Sequence, residues 1–360
     1  VVTYGYRCVS GFFMSGTGTA IKETIQIVEF IVLIHLVASA TRDEERRRQF
    51  FRVLLIGLGG LSVFAAAWHI AHGSFANYKD LGDPKYAFAL FALLASVSYL
   101  WNRTSIRWIV LIGAVLLTIL SGERKGWVAL AGAGTIMYFL FQGRSVWRLV
   151  SSFFRPRLLL GGGIVVVVMI IAALQFEYVR RQFRSMYDLY VIASNVSLQM
   201  DLSAFETSGS NLARLYILLF TVRTALAHPV FGVGTGGWHE ALAETAQSGS
   251  SNYMIGAHSE YQRLTVENGL LGLGLYLITW FITLRAAVRY FRQVPSHLRI
   301  SVLAIIGLAG FGALINLFLG GGALNIVFLA LPIGLLLGLE NDAEARLRTT
   351  PEAPVTSEKD

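Results

Sequence analysis

Stretches of about 20 mostly apolar residues recur along this chain, each long enough to cross the hydrocarbon core of a bilayer as a helix. Nine such segments stand out. They run approximately from Ile21 to Ala40, Val53 to Ala71, Tyr86 to Trp101, Ile106 to Leu120, Trp127 to Phe141, Leu158 to Leu174, Leu264 to Leu284, Ile300 to Leu319 and Ala323 to Leu339. The third, fourth and fifth are short and are expected to extend into their flanks. The pattern predicts an all-α polytopic membrane protein. Composition agrees: 14% of the 360 residues are charged, against about 25% in a soluble chain. The 36 glycines suit close helix packing in a bilayer.

Charge sets the orientation. The connector Thr41 to Arg52 holds Arg42, Arg46, Arg47, Arg48 and Arg52. Alternate connectors further on carry Arg103 and Arg107, then Arg144, Arg148, Arg155 and Arg157, then Arg285, Arg289, Arg292 and Arg299. These fifteen arginines share one side, whereas the short connectors opposite hold only Lys79, Lys85, Arg124 and Lys125. Basic residues in short loops prefer the cytoplasm, which places the arginine-rich side there. The net charge of +8 therefore reflects topology rather than nucleic-acid binding. The single cysteine, Cys8, excludes an intramolecular disulfide and a thiolate metal cluster.

The chain accordingly divides into N-terminal spans (1–174), a long outer segment (175–263), C-terminal spans (264–340) and a disordered cytoplasmic tail (341–360) rich in Pro, Glu, Thr and Ser. The chain begins at Val1 rather than Met, and Val1 to Thr19 lacks the basic start and apolar core of a signal peptide. We expect preceding helices, odd in number, for about twelve spans in the whole protein.

An outer segment of this length is commonly functional. It should contain a helix that Asn211 or Ser210 caps and His228-Pro229 ends. Leu212, Leu215, Leu219, Val222 and Leu226 form an apolar stripe at helical spacing, fit for the membrane surface or the bundle. Arg214 and Arg223 lie about half a turn apart on this helix, on opposite sides of the stripe. Gly232-Val233-Gly234-Thr235-Gly236-Gly237 has dinucleotide-fingerprint spacing, but no βαβ unit surrounds it. A turn in which backbone approaches backbone is the better reading. His228 and His239 lack metal-ligand spacing with any Cys or acidic cluster. His35, His69 and His297 read as structural or interfacial, and Trp68, Trp101, Trp108, Trp127 and Trp147 as an interfacial belt.

Three polar stretches interrupt the apolar pattern on the outer side. In Ser121-Gly122-Glu123-Arg124-Lys125-Gly126 a guanidinium suits a phosphate, with an interfacial anchor that snorkels to water as the even alternative. Ser210-Asn211-Leu212-Ala213-Arg214 reads by itself as an amphipathic helix with a solvated arginine. In the third, Gly256 to Gly272, His258, Glu260, Tyr261, Arg263 and Glu267 run straight into an apolar span. Ionisable groups in a membrane are costly and usually serve a site. A neutral histidine there can accept a proton from a sugar hydroxyl. The alternative is a helix N-terminus with a capping histidine and an Arg263–Glu267 pair.

These residues resemble the O-antigen ligase and polymerase family of bacterial surface-polysaccharide assembly, most closely the ligases. His258-Ser259, nine residues, then Gly269-Leu270-Leu271-Gly272 fits the ligase signature at every specified position. His228 to Gly234 resembles the family's "hPllGvG" turn, Ser210 to Arg214 its "gsgR" helix start and Ser121 to Gly126 its outer "SRG" turn, all in the family's order. There are departures: Arg124 meets Val128 four residues on where the family has Leu, and Lys125 replaces a small residue. The resemblance covers about Ile106 to Leu284.

The resemblance implies a GT-C-like fold and an inverting, metal-independent glycosyl transfer on the periplasmic side of the bacterial inner membrane, with no cofactor. The donor would be a glycan on undecaprenyl pyrophosphate and the acceptor the lipid A-core oligosaccharide; a polymerase would use another lipid-linked repeat unit instead. On this reading Arg124 and Arg214 hold the pyrophosphate, His258 deprotonates the acceptor hydroxyl, and Lys125, Glu260, Tyr261 and Glu267 bind or orient substrate. A transporter of lipid-linked sugars is the rival from another class. It would place charges facing each other at mid-membrane, whereas the strongest cluster here sits at the outer interface.

Overall fold

A computed structural model describes residues 17–71, 85–102, 104–120, 124–142, 209–245, 257, 259–296, 298–317 and 323–349. They form ten helices with no strand among them: α1 (Thr17–Ala40), α2 (Glu44–Ala71), α3 (Lys85–Trp101), α4 (Ser105–Leu120), α5 (Arg124–Gln142), α6 (Gly209–Ala227), α7 (Trp238–Thr245), α8 (Glu260–Gln293), α9 (Arg299–Ile315) and α10 (Ala323–Thr349). The expected span Leu158 to Leu174 lies outside the described residues.

Each of the other eight apolar segments became a helix. Their ends moved where polar residues favour or stop helix. The α2 helix starts well before Val53, because the Asp43 carboxylate accepts from the Arg46 amide at 2.8 Å and Glu44 and Glu45 occupy the positive first turn. The α10 helix runs on to Thr349, so residues 341–349 are helical, not the disordered tail that composition suggested. Asn341 to Thr349 is rich in good helix formers, and Asp342 is anchored to α2.

The outward faces of the helices are apolar too. On α1 the exposed residues Ile21, Ile25, Val28, Val32 and Leu36 repeat at helical spacing, as do Val53, Ile56, Val63 and Phe64 on α2. Helices that are apolar inside and out suit a lipid solvent, and exposed faces of this size are foreign to soluble monomers. Two helices are long and apolar enough to cross a membrane, over Glu44–Ala67 and Glu260–Gln293; six more apolar helices span 10–17 residues. This is the pattern of a helical membrane protein.

The core centres on α9, which is buried almost continuously from Ser301 to Gly312. It packs on α5 in antiparallel fashion: Gly310 sits against Ala133 and Ile136, Gly307 against Met137 and Leu93, and Gly132 against Leu314. The α1 and α10 helices run parallel, with Gly334 against Ile34 and Val37 and Gly338 against Thr41. Small residues at such crossings let backbones approach closely.

The bundle has two distinct ends. At one, Arg47 of α2 is fully buried and donates to Asp342 of α10 at 2.7 Å, to the Thr41 carbonyl at 2.9 Å and to Glu44 at 3.3 Å. Glu44 in turn accepts from the Ser301 hydroxyl of α9 at 2.9 Å. All these residues lie in connectors or helix ends that arginine content places on one side. At the opposite end, the start of α8 meets the end of α9: the Glu260 amide donates to the Asn316 carbonyl at 3.0 Å.

Candidate functional site

The α8 helix is two helices joined at a break. Ser259 caps its start, accepting from the Gln262 amide and donating to the Asn316 carbonyl at 3.3 Å. Ten residues later the helix fails at Gly269, whose φ of 63° and ψ of −165° leave the helical region. Glycine alone adopts this conformation without strain.

A break in a buried helix frees backbone groups that must find other partners. Here the turn 228–237, between α6 and α7, supplies all of them. In an unbroken helix the amides of Leu270 and Leu271 would donate to the carbonyls of Val266 and Glu267. Instead Leu270 donates to Pro229 at 2.8 Å and Leu271 to Val230 at 3.2 Å, while Val266 accepts from Val233 and Glu267 from Gly234, each at 2.9 Å. The contact leaves no room for side chains. A Cβ on Gly232 would fall on the backbone of Val266, Glu267 and Gly269, and one on Gly269 would fall on Val230 and Gly232. The Gly232–Gly237 stretch is therefore the close backbone turn expected of it. Beside the joint, the buried Asn268 side chain donates to Thr235 at 2.7 Å.

The first half of α8 carries the polar residues. Arg263 holds two buried carboxylates on one helix face. It donates to both oxygens of Glu260 at 2.5 and 3.0 Å and to Glu267 at 3.1 Å. Burial of such groups requires pairing of this kind. The Arg263–Glu267 pair is thus present, and the helix cap is Ser259 rather than a histidine. Tyr261 turns the other way. Its hydroxyl donates to the Ala313 carbonyl of α9 at 2.7 Å, and its ring packs on Tyr276. Asn316 closes the same corner, donating to the Tyr276 hydroxyl at 2.8 Å. One oxygen each on Asn268 and Asn316 is buried without a hydrogen-bond partner among the described residues.

The other candidates are placed by their elements. His258 lies outside the described residues, as do Ser121 to Glu123 and the side chains of Arg124 and Arg214. Arg124 opens α5, and Lys125 follows it, half-buried. Because α5 runs antiparallel to α9, this start lies at the end of the bundle where α9 meets Ser259 and Glu260. Arg214 lies in the first turns of α6, which packs on α8. One turn on, Ile217 joins Val266 and Trp238 in a buried cluster against which Ala257, the residue before His258, packs.

Two expectations for α6 need correction. It begins at Gly209, so Asn211 lies inside it rather than at its cap. Its buried face is Ile217, Leu219, Phe220, Thr221 and Thr224; of the expected stripe Leu219 is buried, whereas Val222 and Leu226 are exposed. Apolar residues occur on both faces, so periodicity alone could not choose between them. His228-Pro229 does end the helix, and α6 packs on the bundle.

Comparison with protein families adds the decisive observation: residues 108–277 match the family model described as O-Antigen ligase. These residues form an O-antigen ligase family domain. A comparison with curated proteins gave no match. The O-antigen ligase family domain runs from α4 into the second half of α8, so it contains the Gly232–Gly269 joint and every candidate residue from Arg124 to Glu267. The match supports a role of this domain in polysaccharide assembly of the O-antigen ligase or polymerase type. Sequence reasoning missed three features of this domain: the break in α8, Arg263 as the group holding Glu260 and Glu267 together, and the Asn268–Thr235 contact. Asn268-Gly269 inside an apolar helix was the one available signal for the first.

Proposed function

We propose that this chain is an O-antigen ligase of lipopolysaccharide biosynthesis. It moves a polysaccharide from undecaprenyl pyrophosphate to a hydroxyl of the lipid A-core oligosaccharide, at the periplasmic face of the bacterial inner membrane. The observation that carries the reading is the coincidence of signature and architecture. The signature stretch from His258 to Gly272 lies inside the family domain, and its first glycine is the joint on which the neighbouring turn is seated.

In this mechanism the acceptor hydroxyl oxygen attacks the anomeric carbon as the bond from that carbon to the pyrophosphate oxygen breaks, inverting the centre. The electron pair leaves with undecaprenyl pyrophosphate. Arg124 and Arg214 grip the pyrophosphate and stabilise its growing charge through paired guanidinium–phosphate hydrogen bonds. His258 takes the hydroxyl proton. Pyrophosphate is a good leaving group, so guanidinium groups serve in place of a divalent ion. Glu260 and Glu267, fixed by Arg263, orient His258 or the acceptor from the first turns of α8. Lys125 adds charge beside Arg124, and Tyr261 acts as a positioning residue through its bond to α9. The helix starts of α5 and α8 at the same end of the bundle, and the cluster shared by α6, α8 and Ala257, support this grouping.

The test is transfer by the purified chain, with lipid-linked glycan as donor and lipid A-core as acceptor. His258→Ala should lower the rate by at least about a hundredfold, the scale of lost general-base catalysis, while the protein stays folded and inserted. Near-normal transfer by that variant would remove His258 from the mechanism. Product identity tests the reaction itself: a longer glycan still on the polyprenyl carrier would make the enzyme a polymerase. Flux of donor across liposomes without bond formation would make the chain a transporter.

A further inference from the structure

The far end of α8 carries a second polar feature that the transfer reaction does not use. Arg285, Arg289 and Arg292 are spaced so that they fall within about 60° on one helix face and over about 10 Å of its axis. All three are exposed, and none forms a salt bridge among the described residues. Three of the four arginines of α2 provide the contrast: Arg46 pairs with Asp43, Arg47 with Asp342, and Arg48 with Glu44. The α8 arginines border a groove of about 590 Å³ whose floor is Phe281, Leu284 and Val288. Toward the middle of α8 the same face continues as Ile278, Phe281 and Ile282, each more than half exposed.

We infer that this face binds an anionic glycerophospholipid. The two halves of the surface fit the two halves of such a molecule. Guanidinium groups grip a phosphodiester through paired hydrogen bonds, and neighbouring arginines one turn apart can share one phosphate. The apolar track beside them receives acyl chains, which an acidic peptide would not supply. Arginine density puts this end of α8 at the cytoplasmic surface, opposite the joint at Gly269, where anionic headgroups attract basic residues. The inference rests on the chain being a membrane protein and is independent of the transfer chemistry.

The test is native mass spectrometry of the delipidated full chain in detergent, titrated with dioleoyl phosphatidylglycerol or dioleoyl phosphatidylcholine. The phosphatidylglycerol adduct should be the stronger, and R285Q/R289Q/R292Q should weaken it about ten- to a hundredfold, as each basic group adds to binding. R42Q/R46Q/R48Q removes as much charge elsewhere on the same side and should leave the adduct within about threefold of normal. R285K/R289K/R292K guards against a folding artefact, since it keeps the charges and should retain most of the binding. Equal binding of the two lipids, or equal loss in both glutamine variants, would overturn the site. So would a changed oligomeric mass in R285Q/R289Q/R292Q with lipid adducts intact, which would give the face to a second copy of the chain. Transfer activity measured on the same samples reports separately on the ligase reading.

Discussion

The two ends of the bundle both bury charge, but they do so by different constructions. At the Arg47 end the partners come from distant parts of the chain. Arg47 meets Asp342, and Glu44 meets Ser301, so α2, α9 and α10 are tied together. At the Glu260 end the ion pairs are local, i,i+3 and i,i+4 on one helix, and the long-range ties are made by uncharged backbone, amide and hydroxyl groups. The first construction fastens helices. The second holds a helix open at a glycine and presents carboxylates beside it. Charge that joins distant segments reads as architecture. Charge gathered on a single broken helix, inside a family domain, reads as a site.

Substitutions can break or sharpen that contrast. The largest effect should come from Gly269→Val, which combines a forbidden backbone conformation with a collision against Val230 and Gly232. We expect a loss of about 4–6 kcal/mol, seen as failure to recover monodisperse protein in detergent. Recovery of stable, active Gly269→Val would mean that the joint is dispensable. Arg47→Ala should cost about 3–5 kcal/mol, because it removes the cation from the buried Asp342 carboxylate. A paired Arg47→Met, Asp342→Leu variant should recover most of this. Thermal melting would report both, and the per-molecule transfer rate of folded Arg47→Ala should be unchanged.

Arg263→Ala sharpens the comparison from the other side. It should cost a similar amount of stability, about 3–5 kcal/mol, since it removes the cation shared by the buried Glu260 and Glu267 carboxylates. Its transfer rate should nevertheless fall more than that of any variant at the Arg47 end. Equal kinetic effects at the two ends would erase the distinction. Thr235→Val, which removes the acceptor for Asn268, should lower the melting point by the equivalent of about 1 kcal/mol. Smallest of all, Arg48→Ala breaks a surface pair with Glu44 that is nearly half exposed on the arginine side, and should change stability by no more than about 0.5 kcal/mol.

The helices were legible in the sequence because a bilayer demands long apolar runs, and Ile21 to Ala40 or Tyr86 to Trp101 can be little else. Their ends were less so. Glu44 to Arg52 looks like a polar connector, yet Asp43 and the acidic first turn extend α2 through it. The stretch after Glu340 reads as one tail, yet Asn341 to Thr349 continues the helix, with good helix formers and Asp342 held by Arg47 across the bundle. No local rule reveals a partner that remote. The inward face of α6 was hidden for a related reason: in an apolar solvent both faces of a helix are apolar, and hydrophobic spacing loses its power to tell core from lipid. At the site, the Gly232 turn was readable as a close backbone approach, whereas its partner at Gly269 was concealed inside an apolar run. The Arg263–Glu267 pair followed from spacing alone; that Arg263 holds Glu260 as well required coordinates.

The reciprocal hydrogen bonds at Gly269 also bear on how domains of this family can be recombined. Residues 229–234 and 266–271 fit each other atom for atom through the main chain, so neither can be exchanged alone. A chimaera that imports only the signature helix from a relative would mate one parent's helix to the other parent's turn. One that carries both pieces, together with Thr235 and the α7 residues packed on Val266, transfers an intact socket.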